Sequence, residues 1–428
     1  MTADAPAATL SVRQAAFIGV GAMVGAGIFA LLGAAGEVAG AAVWVSFLIA
    51  GAIAGLQGYS FAKLGARYPS AGGMLEYVVR GFGNGHVTGV IAWLLLAANA
   101  IITGMVATSF GSYASAAVAD ESTAWTKPFA VLVILVMTAL NALGSQAVAR
   151  AQTLVVIVVI GILTVFAVTT LANIDPSLLA FSGYPPLSDI VASVALTFFA
   201  FLGFGVITFT AKDLAHPARQ LPRAVYLALG IATLVYVAVA LGVFGTLTVD
   251  EVVASGGTAL AVAAEPVLGS AGYWLMSVTA LFATAGATNS GLYPAAGLCE
   301  QMVTTGQFPP ALSRRFFGKV PAGLVVTAAA AIVLALGFDL NAIASIGSAV
   351  ALAVFALITS GHLRVRRETG ANAAMLVVAV VSTLGVLVTF AFTTLVDEPA
   401  TIAALAAILV LSVGMDLLWK RARSQPGP

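Results

Sequence analysis

The chain is dominated by long apolar segments of about 20 residues, the length that an α-helix needs to cross a bilayer. We count twelve, at residues 13–35, 41–64, 88–117, 125–145, 150–172, 188–211, 222–247, 270–298, 322–338, 342–361, 372–394 and 400–419. Hydrophobic residues make up 61% of the chain and charged residues only 8%. Because lipid offers no partners for backbone N–H and C=O groups, such segments must be helical. The sequence predicts a single all-α membrane domain over 1–428.

The distribution of charge fits an even number of spans. With twelve spans both termini lie on one side, and every lysine and arginine except Lys127 falls on that side. The positive-inside rule makes it cytoplasmic. Acids such as Glu37, Asp339 and Glu398 fall on the opposite side, and the net charge of +1 gives no indication of nucleic-acid binding. We expect a multi-pass protein of a bacterial cytoplasmic membrane with both termini cytoplasmic.

Two of the apolar segments carry glycines where a plain membrane anchor carries Leu, Ile or Val. Gly21, Gly25 and Gly27 fall in the first segment, and Gly203 and Gly205 fall in the sixth. Each glycine weakens a helix by about 1 kcal/mol relative to alanine. We expect both helices to be broken there, which bares backbone groups that are tolerated only against protein, water or ligand. The alternative is that the glycines only let neighbouring helices pack closely.

Breaks in the first and sixth segments, five apart, are typical of an inverted repeat with a site near the middle of the membrane. The two repeats of five helices would cover residues 13–172 and 188–361. The segments within 372–419 would then add helices eleven and twelve outside the repeat.

Two broken helices can bind a zwitterion through backbone groups alone. The outer half of the first helix would begin with unpaired N–H groups and a partial positive charge, which suits a carboxylate. Gly25, Ala26 and Gly27 are the predicted donors. The inner halves would end in unpaired carbonyls, which suit an ammonium group. Such a site recognises an α-amino acid without placing a charged side chain at the centre of the bilayer.

Four stretches resemble the amino acid–polyamine–organocation permease superfamily, over roughly residues 10–365. They are Gly21–Phe29, Phe61–Gly73, Phe199–Arg223 and Gly306–Pro309, in the order and at the spacing of that family. The resemblance implies a 5+5 inverted repeat and transport by alternating access. It assigns the ammonium-binding carbonyls to Met23, Phe199 and Leu202. It also favours Phe204, beside Gly203 and Gly205, as a substrate contact.

The spans offer no obvious group for proton coupling. We find no Asp, Glu, Lys, Arg or His deep in any segment, and expect His86, His216 and His362 to be solvated at cytoplasmic ends. The fifth-helix lysine that some proton-linked relatives use aligns with Val159. A titratable proton relay is therefore not expected.

A sodium site stays open. Carbonyls around Gly19 and Ala22, with the hydroxyls of Thr284 and Thr288 in the eighth segment, could form a small oxygen cage. A facilitator or exchanger without a coupling ion fits the sequence equally well.

Lys63 and Lys212 stand where the family carries glutamates, at the cytoplasmic ends of the second and sixth segments. One reading is simple retention of positive charge on the cytoplasmic side. The other is an inner gate in which these lysines pair with acids such as Asp213, Glu76 or Glu300.

The sequence therefore predicts a secondary transporter or exchanger for a neutral α-amino acid, with Na⁺ or H⁺ as the candidate coupling ion and lipid as its surroundings. The alternatives are a permease for polyamines, amines or other small solutes, and a membrane sensor that shares the fold without transporting. An enzyme is disfavoured because no cluster of His, Cys, Asp or Glu lies at mid-depth. No cofactor or metal is expected.

Overall fold

The computed structural model describes residues 10–70, 72–118, 123–143, 146–316 and 320–424. Their α-helices are α1 Val12–Ala39, α2 Val43–Arg67, α3 Met74–Phe82, α4 His86–Val118, α5 Thr126–Leu143, α6 Gln146–Ala172, α7 Leu187–Phe199, α8 Pro217–Phe244, α9 Val249–Ser255, α10 Ala259–Thr304, α11 Ala322–Gly337, α12 Leu340–Thr369, α13 Ala373–Thr393 and α14 Pro399–Ser424. Within the described residues, each of the twelve predicted segments coincides with helix, which confirms the all-α membrane fold.

Some local features were not predicted. Helices α3 and α9, of 9 and 7 residues, are too short to cross a bilayer. The long α10 contains a kink at Gly269, whose φ of 68° is not helical. A two-residue hairpin pairs β1 Arg315–Phe316 with β2 Val320–Pro321.

Long apolar helices with lipid-facing surfaces surround a buried centre. Among the described residues, nine helical stretches are long and apolar enough to cross a membrane, and three shorter apolar helices accompany them. Leu154 and Val168 on α6, and Val410 and Leu411 on α14, are exposed apolar side chains. An apolar exterior is what a bilayer requires, whereas a soluble protein rarely exposes such a large patch.

The centre of the bundle is α1, which contacts α7, α8, α10 and a 3₁₀-helix at Leu202–Asp213 that we call the 3₁₀ segment. A capping box between Ser11 and Gln14 begins α1. Just before it, the Leu10 amide donates to the Asp213 carbonyl at 3.1 Å. The beginning of α1 is thereby joined to the end of the 3₁₀ segment, and the two glycine-containing segments are brought side by side.

Candidate functional site

The sixth apolar segment changes from an α-helix to a 3₁₀-helix near its middle. Helix α7 ends at Phe199, Ala200 and Phe201 form a turn, and the 3₁₀ segment follows. The buried Tyr236 hydroxyl of α8 donates to the Ala200 carbonyl at 3.1 Å, which provides a partner for a backbone group at the break. The predicted interruption of this segment is confirmed.

The 3₁₀ segment is unusually long. It has 12 residues, whereas 3₁₀ runs beyond three or four residues are uncommon and often mark hinges. Side chains three apart share a face of such a helix. Phe201, Phe204 and Ile207 are fully buried, while Gly203 and Val206 are only half-buried. This three-residue spacing of large apolar side chains favours the 3₁₀ geometry.

The first apolar segment is not interrupted. Helix α1 is one continuous α-helix through its glycines, so the predicted opening at Gly21–Phe29 is wrong for this conformation. Neighbouring helices occupy the space beside the glycines: a Cβ atom on Gly25 would lie 2.2 Å from the Ala283 carbonyl oxygen of α10. Close packing, the alternative reading, offsets the weak helix propensity of about 1 kcal/mol per glycine.

Helix α1 crosses the break in the sixth segment in direct contact, and we call this place the crossing. A Cβ atom on Gly203 would lie 2.5 Å from the Met23 nitrogen, and one on Gly27 would lie 2.3 Å from the Ala200 Cβ. Met23, Gly27 and Gly203 of the predicted site are therefore brought together. The contact is possible only because two of these residues have no side chain.

Other predicted site residues lie around the crossing or away from it. Leu202 begins the 3₁₀ segment and is buried. The Phe199 ring points to α12, where a Cβ atom on Gly347 would lie 2.1 Å from it. Gly205 faces Met74 of α3. Ala26 belongs to α1, but its side chain lies outside the described part of the structure.

The crossing is closed in this conformation. In a continuous α-helix the amides of Gly25, Ala26 and Gly27 bond carbonyls of the preceding turn, so they are not free donors. A cavity beside Gly21 and Gly25 measures about 10 Å³, room for about one water molecule. Val159 of α6 also lines it, at the position that aligns with the family's lysine.

A much larger cavity, which we call the vestibule, leads toward the break from the acidic side. It measures about 660 Å³ and extends to Leu196, one turn before Phe199. Its lining includes five carboxylates, those of Glu37, Asp189, Asp339, Asp397 and Glu398, and no Lys, Arg or His among its described residues. A polar approach thus ends close to the broken helix.

Comparison with known proteins agrees with this architecture. The family described as Amino acid permease matches residues 10–415. The chain belongs to the amino acid permease family. It is 31% identical over 409 residues to the inner membrane transport protein YbaT of Escherichia coli K12, covering 95% of both chains.

Partial matches extend to other named transporters. The permease is 26% identical to the methylthioribose transporter of Bacillus subtilis, over 56% of this chain and 55% of that one. It is 31% identical to the vacuolar cationic amino acid transporter 4 of Arabidopsis thaliana, over 55% of this chain and 43% of that one. The chain is therefore an integral multi-pass membrane protein of a transporter family, and not an enzyme.

Next to the crossing, the permease contains four packed phenylalanines that we call the aromatic cluster. Phe61 of α2 lies 5.5 Å from Phe204 and 5.0 Å from Phe355 of α12, between ring centroids. Phe198 lies 5.8 Å from Phe355. All four are buried, at separations typical of favourable aromatic pairs. They fill the space between the crossing and the basic ends of α2 and α12.

The predicted inner-gate residues are not ion-paired here. Within the described residues, no carboxylate lies within 4.0 Å of Lys63 or Lys212. Asp213 uses its backbone carbonyl as an acceptor, and Glu76 pairs with Arg80 at 2.7 Å. An ion-paired inner gate stays a prediction for another conformation.

The four residues of the predicted sodium cage meet different partners. Gly19 and Ala22 of α1 face the 3₁₀ segment. The Thr284 and Thr288 hydroxyls donate to carbonyls of their own helix, α10, at 2.6 and 2.8 Å. The sodium cage also stays a prediction.

His362 corrects the expectation that no ionisable group is buried in the spans. It was expected to be solvated, yet it is fully buried in α12. Its ring lies between Ser60 of α2 and Thr369. Ser60 and His362 are remote in sequence, which is why their contact was missed. The available signal was a pair of polar residues three apart on each apolar helix, Gln57 with Ser60 and Thr359 with His362.

Asp416 is a second correction. Only 1% of it is exposed, although it lies in the last apolar segment. One oxygen lies 2.6 Å from His86 Nδ1 of α4 and the other 2.7 Å from the Lys420 ammonium. Because the Lys420 ammonium neutralises it and His86 lies within hydrogen-bond distance, this aspartate can be buried at the basic end of α14.

Proposed function

We propose that this permease moves a neutral α-amino acid by alternating access, as a secondary active transporter or exchanger, and binds its substrate at the crossing. The observation that supports this most is the meeting of α1 with a broken helix below a wide polar vestibule. A broken membrane helix offers polar backbone groups at a depth where few side chains can do so. The conformation described is one in which the crossing and the aromatic cluster are closed.

The substrate would be held by the backbone once α1 opens. We propose that entry of an amino acid separates Gly203 from Met23 and opens the turn at Gly25–Gly27. Each backbone hydrogen bond lost contributes only about 1 kcal/mol net, and glycine lowers the cost of opening further. The freed amides of Gly25, Ala26 and Gly27 would bind the carboxylate, through stronger charge-assisted bonds.

The rest of the site would bind the ammonium group and the side chain. The proposed acceptors are the carbonyls of Met23, Phe199 and Leu202, and the proposed walls are Gly203, Phe204 and Gly205. These walls are apolar. Leaving a charge unpaired among them would cost several kcal/mol, which exceeds the gain of about 0.8 kcal/mol per buried methylene. Neutral side chains are therefore preferred.

The vestibule favours a second candidate, a cationic amino acid or an amine. Five carboxylates, with no basic residue in the described part of the lining, concentrate cations at the entrance to the site. One relative is named a cationic amino acid transporter. Against this candidate, the walls of the crossing supply no acid for a distal charge.

Two further elements of the proposal concern topology. We propose that residues 13–172 and 188–361 are the inverted repeats, and that the basic end faces the cytoplasm. Labelling single cysteines at Arg67 and at Asp339 with a membrane-impermeant reagent tests the orientation. Only the Asp339 position should react from outside intact cells.

Uptake by proteoliposomes tests the function. Purified permease is reconstituted and supplied with each of a panel of radiolabelled L-amino acids, with and without Na⁺ and pH gradients. A neutral amino acid should be the best substrate, and its decarboxylated amine should fail to compete because it lacks the carboxylate. If arginine or putrescine competes best, the second candidate replaces the first. If an amino acid is bound but not moved, the protein is a sensor.

A further inference from the structure

Helices α2, α12 and α13 share a buried chain of hydrogen bonds around His362. Its Nδ1 lies 2.9 Å from the Ser60 hydroxyl, and its Nε2 lies 2.8 Å from the Thr369 hydroxyl. Ser60 lies 3.2 Å from the Thr359 hydroxyl, which donates to the Gln57 side-chain oxygen. This chain of hydrogen bonds links the interior of α2 to the basic end of α12.

Every donor in this chain has an acceptor when the imidazole is neutral. Nε2–H donates to Thr369, whose hydroxyl donates to the Arg366 carbonyl at 3.1 Å. The Ser60 hydroxyl donates to Nδ1.

The inner end of the chain is equally complete. The Gln57 amide donates to the Thr383 hydroxyl at 2.8 Å and to the Ala379 carbonyl at 3.3 Å. Thr383 in turn donates to the same carbonyl at 2.7 Å. A fully satisfied buried network holds its helices in one arrangement.

The same chain can also accept the protonated ring. Nδ1–H would donate to the Ser60 oxygen, and the Ser60 hydroxyl would turn to the Thr359 oxygen 3.2 Å away. In the other neutral tautomer Nε2 accepts from Thr369, which is only half-buried. A hydronium ion at the basic end would then protonate the Thr369 oxygen while the hydroxyl hydrogen passes to Nε2. The products are water, an intact threonine and an imidazolium.

Burial of the ring opposes that proton most, and one positive charge adds to the opposition. Lys63 lies one turn beyond Ser60 on α2 and interacts electrostatically with the ring. The other ionisable side chains of the basic end, on the helices packed around α12, are Arg13 on α1, Tyr59, Arg67 and Tyr68 at α2, Glu76, Tyr77 and Arg80 on α3, His86 on α4, Arg364, Arg366, Arg367 and Glu368 on α12, and Asp416, Lys420, Arg421 and Arg423 on α14. Of the acids, Glu76 is held by Arg80, Glu368 by Tyr68 and Asp416 by Lys420. Helix α13 contributes none.

This hydrogen-bond chain is directly connected to the aromatic cluster. Ser60 precedes Phe61 of the aromatic cluster, and Thr359 lies one turn after Phe355. A change in the α2–α12 contact therefore moves two of the four rings of the aromatic cluster. An imidazolium between these helices, close to the Lys63 ammonium, would be relieved by their separation.

We propose that His362 is a proton-binding site that controls the closure made by the aromatic cluster. A proton taken up from the basic end separates α2 from α12 and moves the rings of the cluster apart. The proton acts on the aromatic cluster and is not carried across the membrane. This inference rests on the proposed function, because a gate matters only to a protein that works by alternating access. The separation of the two helices can nevertheless be measured without any substrate.

Distances between two spin labels, measured by double electron–electron resonance, test the site directly. Nitroxide labels are placed at Arg67→Cys on α2 and Arg367→Cys on α12, both exposed, in a Cys299→Ser background. Lowering the pH stepwise from neutral into the acidic range should increase the population with the longer distance. In His362→Gln, which keeps a donor and an acceptor but cannot titrate, this response should disappear. His216→Gln, an exposed histidine at the same end, should respond as wild type.

A second variant distinguishes a proton site from a structural role. Lys63→Gln removes the opposing charge, so the midpoint pH of the distance response should move to higher pH. This variant serves as the test if His362→Gln does not fold. The inference is overturned if wild type shows no response, if the response survives in His362→Gln, or if Lys63→Gln leaves the midpoint unchanged. Failure of amino acid uptake with an intact distance response would instead overturn the proposed function.

Discussion

Helix α1 and the α7–3₁₀ segment pair carry similar glycine-rich stretches, yet only one of them is broken. Helix α1 remains α-helical through Gly25 and Gly27, while α7 ends at Phe199. The two differ in what surrounds their backbone. Beside α1 the neighbours approach the missing side chains, whereas at the break the Tyr236 hydroxyl bonds a carbonyl.

The difference shows that glycine marks a close approach more dependably than a break. A helix with several glycines stays intact when neighbouring helices pack into the gaps. A break needs in addition a competing partner for the backbone and side chains that fit another helix type. Phe201 at the preceding turn, and Phe204 and Ile207 in the 3₁₀ segment, are spaced by three and meet the second condition.

The largest effect is expected at Gly203. In Gly203→Ala the new Cβ atom would lie 2.5 Å from the backbone of α1, which cannot move aside as a side chain could. We expect a stability loss of about 1–3 kcal/mol and loss of transport. Thermal unfolding and proteoliposome uptake measure the two effects.

Gly230 provides the matched control for Gly203. It lies in α8, and apart from its own helix backbone no atom of the described residues lies within 4 Å of its missing Cβ. Gly230→Ala should retain transport and be stabilised by up to about 1 kcal/mol. Equal losses in both variants would show that the crossing has no special role.

The next comparison lies within α1 itself. A Cβ atom on Gly25 would lie 2.2 Å from the Ala283 oxygen, and one on Gly33 would lie 2.7 Å from the Gly256 oxygen. Both alanine variants should lose stability by overpacking, about 1–3 kcal/mol each. Only Gly25→Ala should also lose substrate binding, because Gly33 lies two turns away from the crossing. A scintillation proximity assay of substrate binding to folded protein checks this. Wild-type affinity in Gly25→Ala would contradict the proposed carboxylate site.

The smallest effect is expected at Tyr236. Tyr236→Phe removes the hydroxyl that bonds the Ala200 carbonyl and should cost about 0.5–1.5 kcal/mol. It should also lower the barrier to a more α-helical junction, making the sixth segment resemble α1. Hydrogen exchange at residues 199–206 should fall relative to wild type. Unchanged exchange would mean that the phenylalanine spacing alone maintains the break.

The sequence was sufficient for the twelve spans because each is an apolar run of about 20 residues, and lipid permits no other structure for it. The break at Phe199 was also accessible from local composition. The continuity of α1 was not, because it depends on Ala283 and Ala200, which approach Gly25 and Gly27 only in the folded bundle.

The buried ionisable groups were missed for a related reason. A charge count treats His362 and Asp416 as ends of spans, and cannot show that Ser60 or Lys420 provides a partner. Burial of a polar group depends on such partners rather than on its position along a helix. Polar residues three apart on one apolar face, such as Gln57 and Ser60, indicate such a buried polar contact in a membrane helix.

The central claim is that an amino acid binds at the crossing and opens α1 there. A structure determined by electron cryomicroscopy with the best neutral substrate bound tests it most directly. We predict that the carboxylate lies against the amides of Gly25–Gly27, that α1 is open at that turn, and that Gly203 has separated from Met23. A substrate bound elsewhere, or one bound at the crossing with α1 still continuous, would contradict the account.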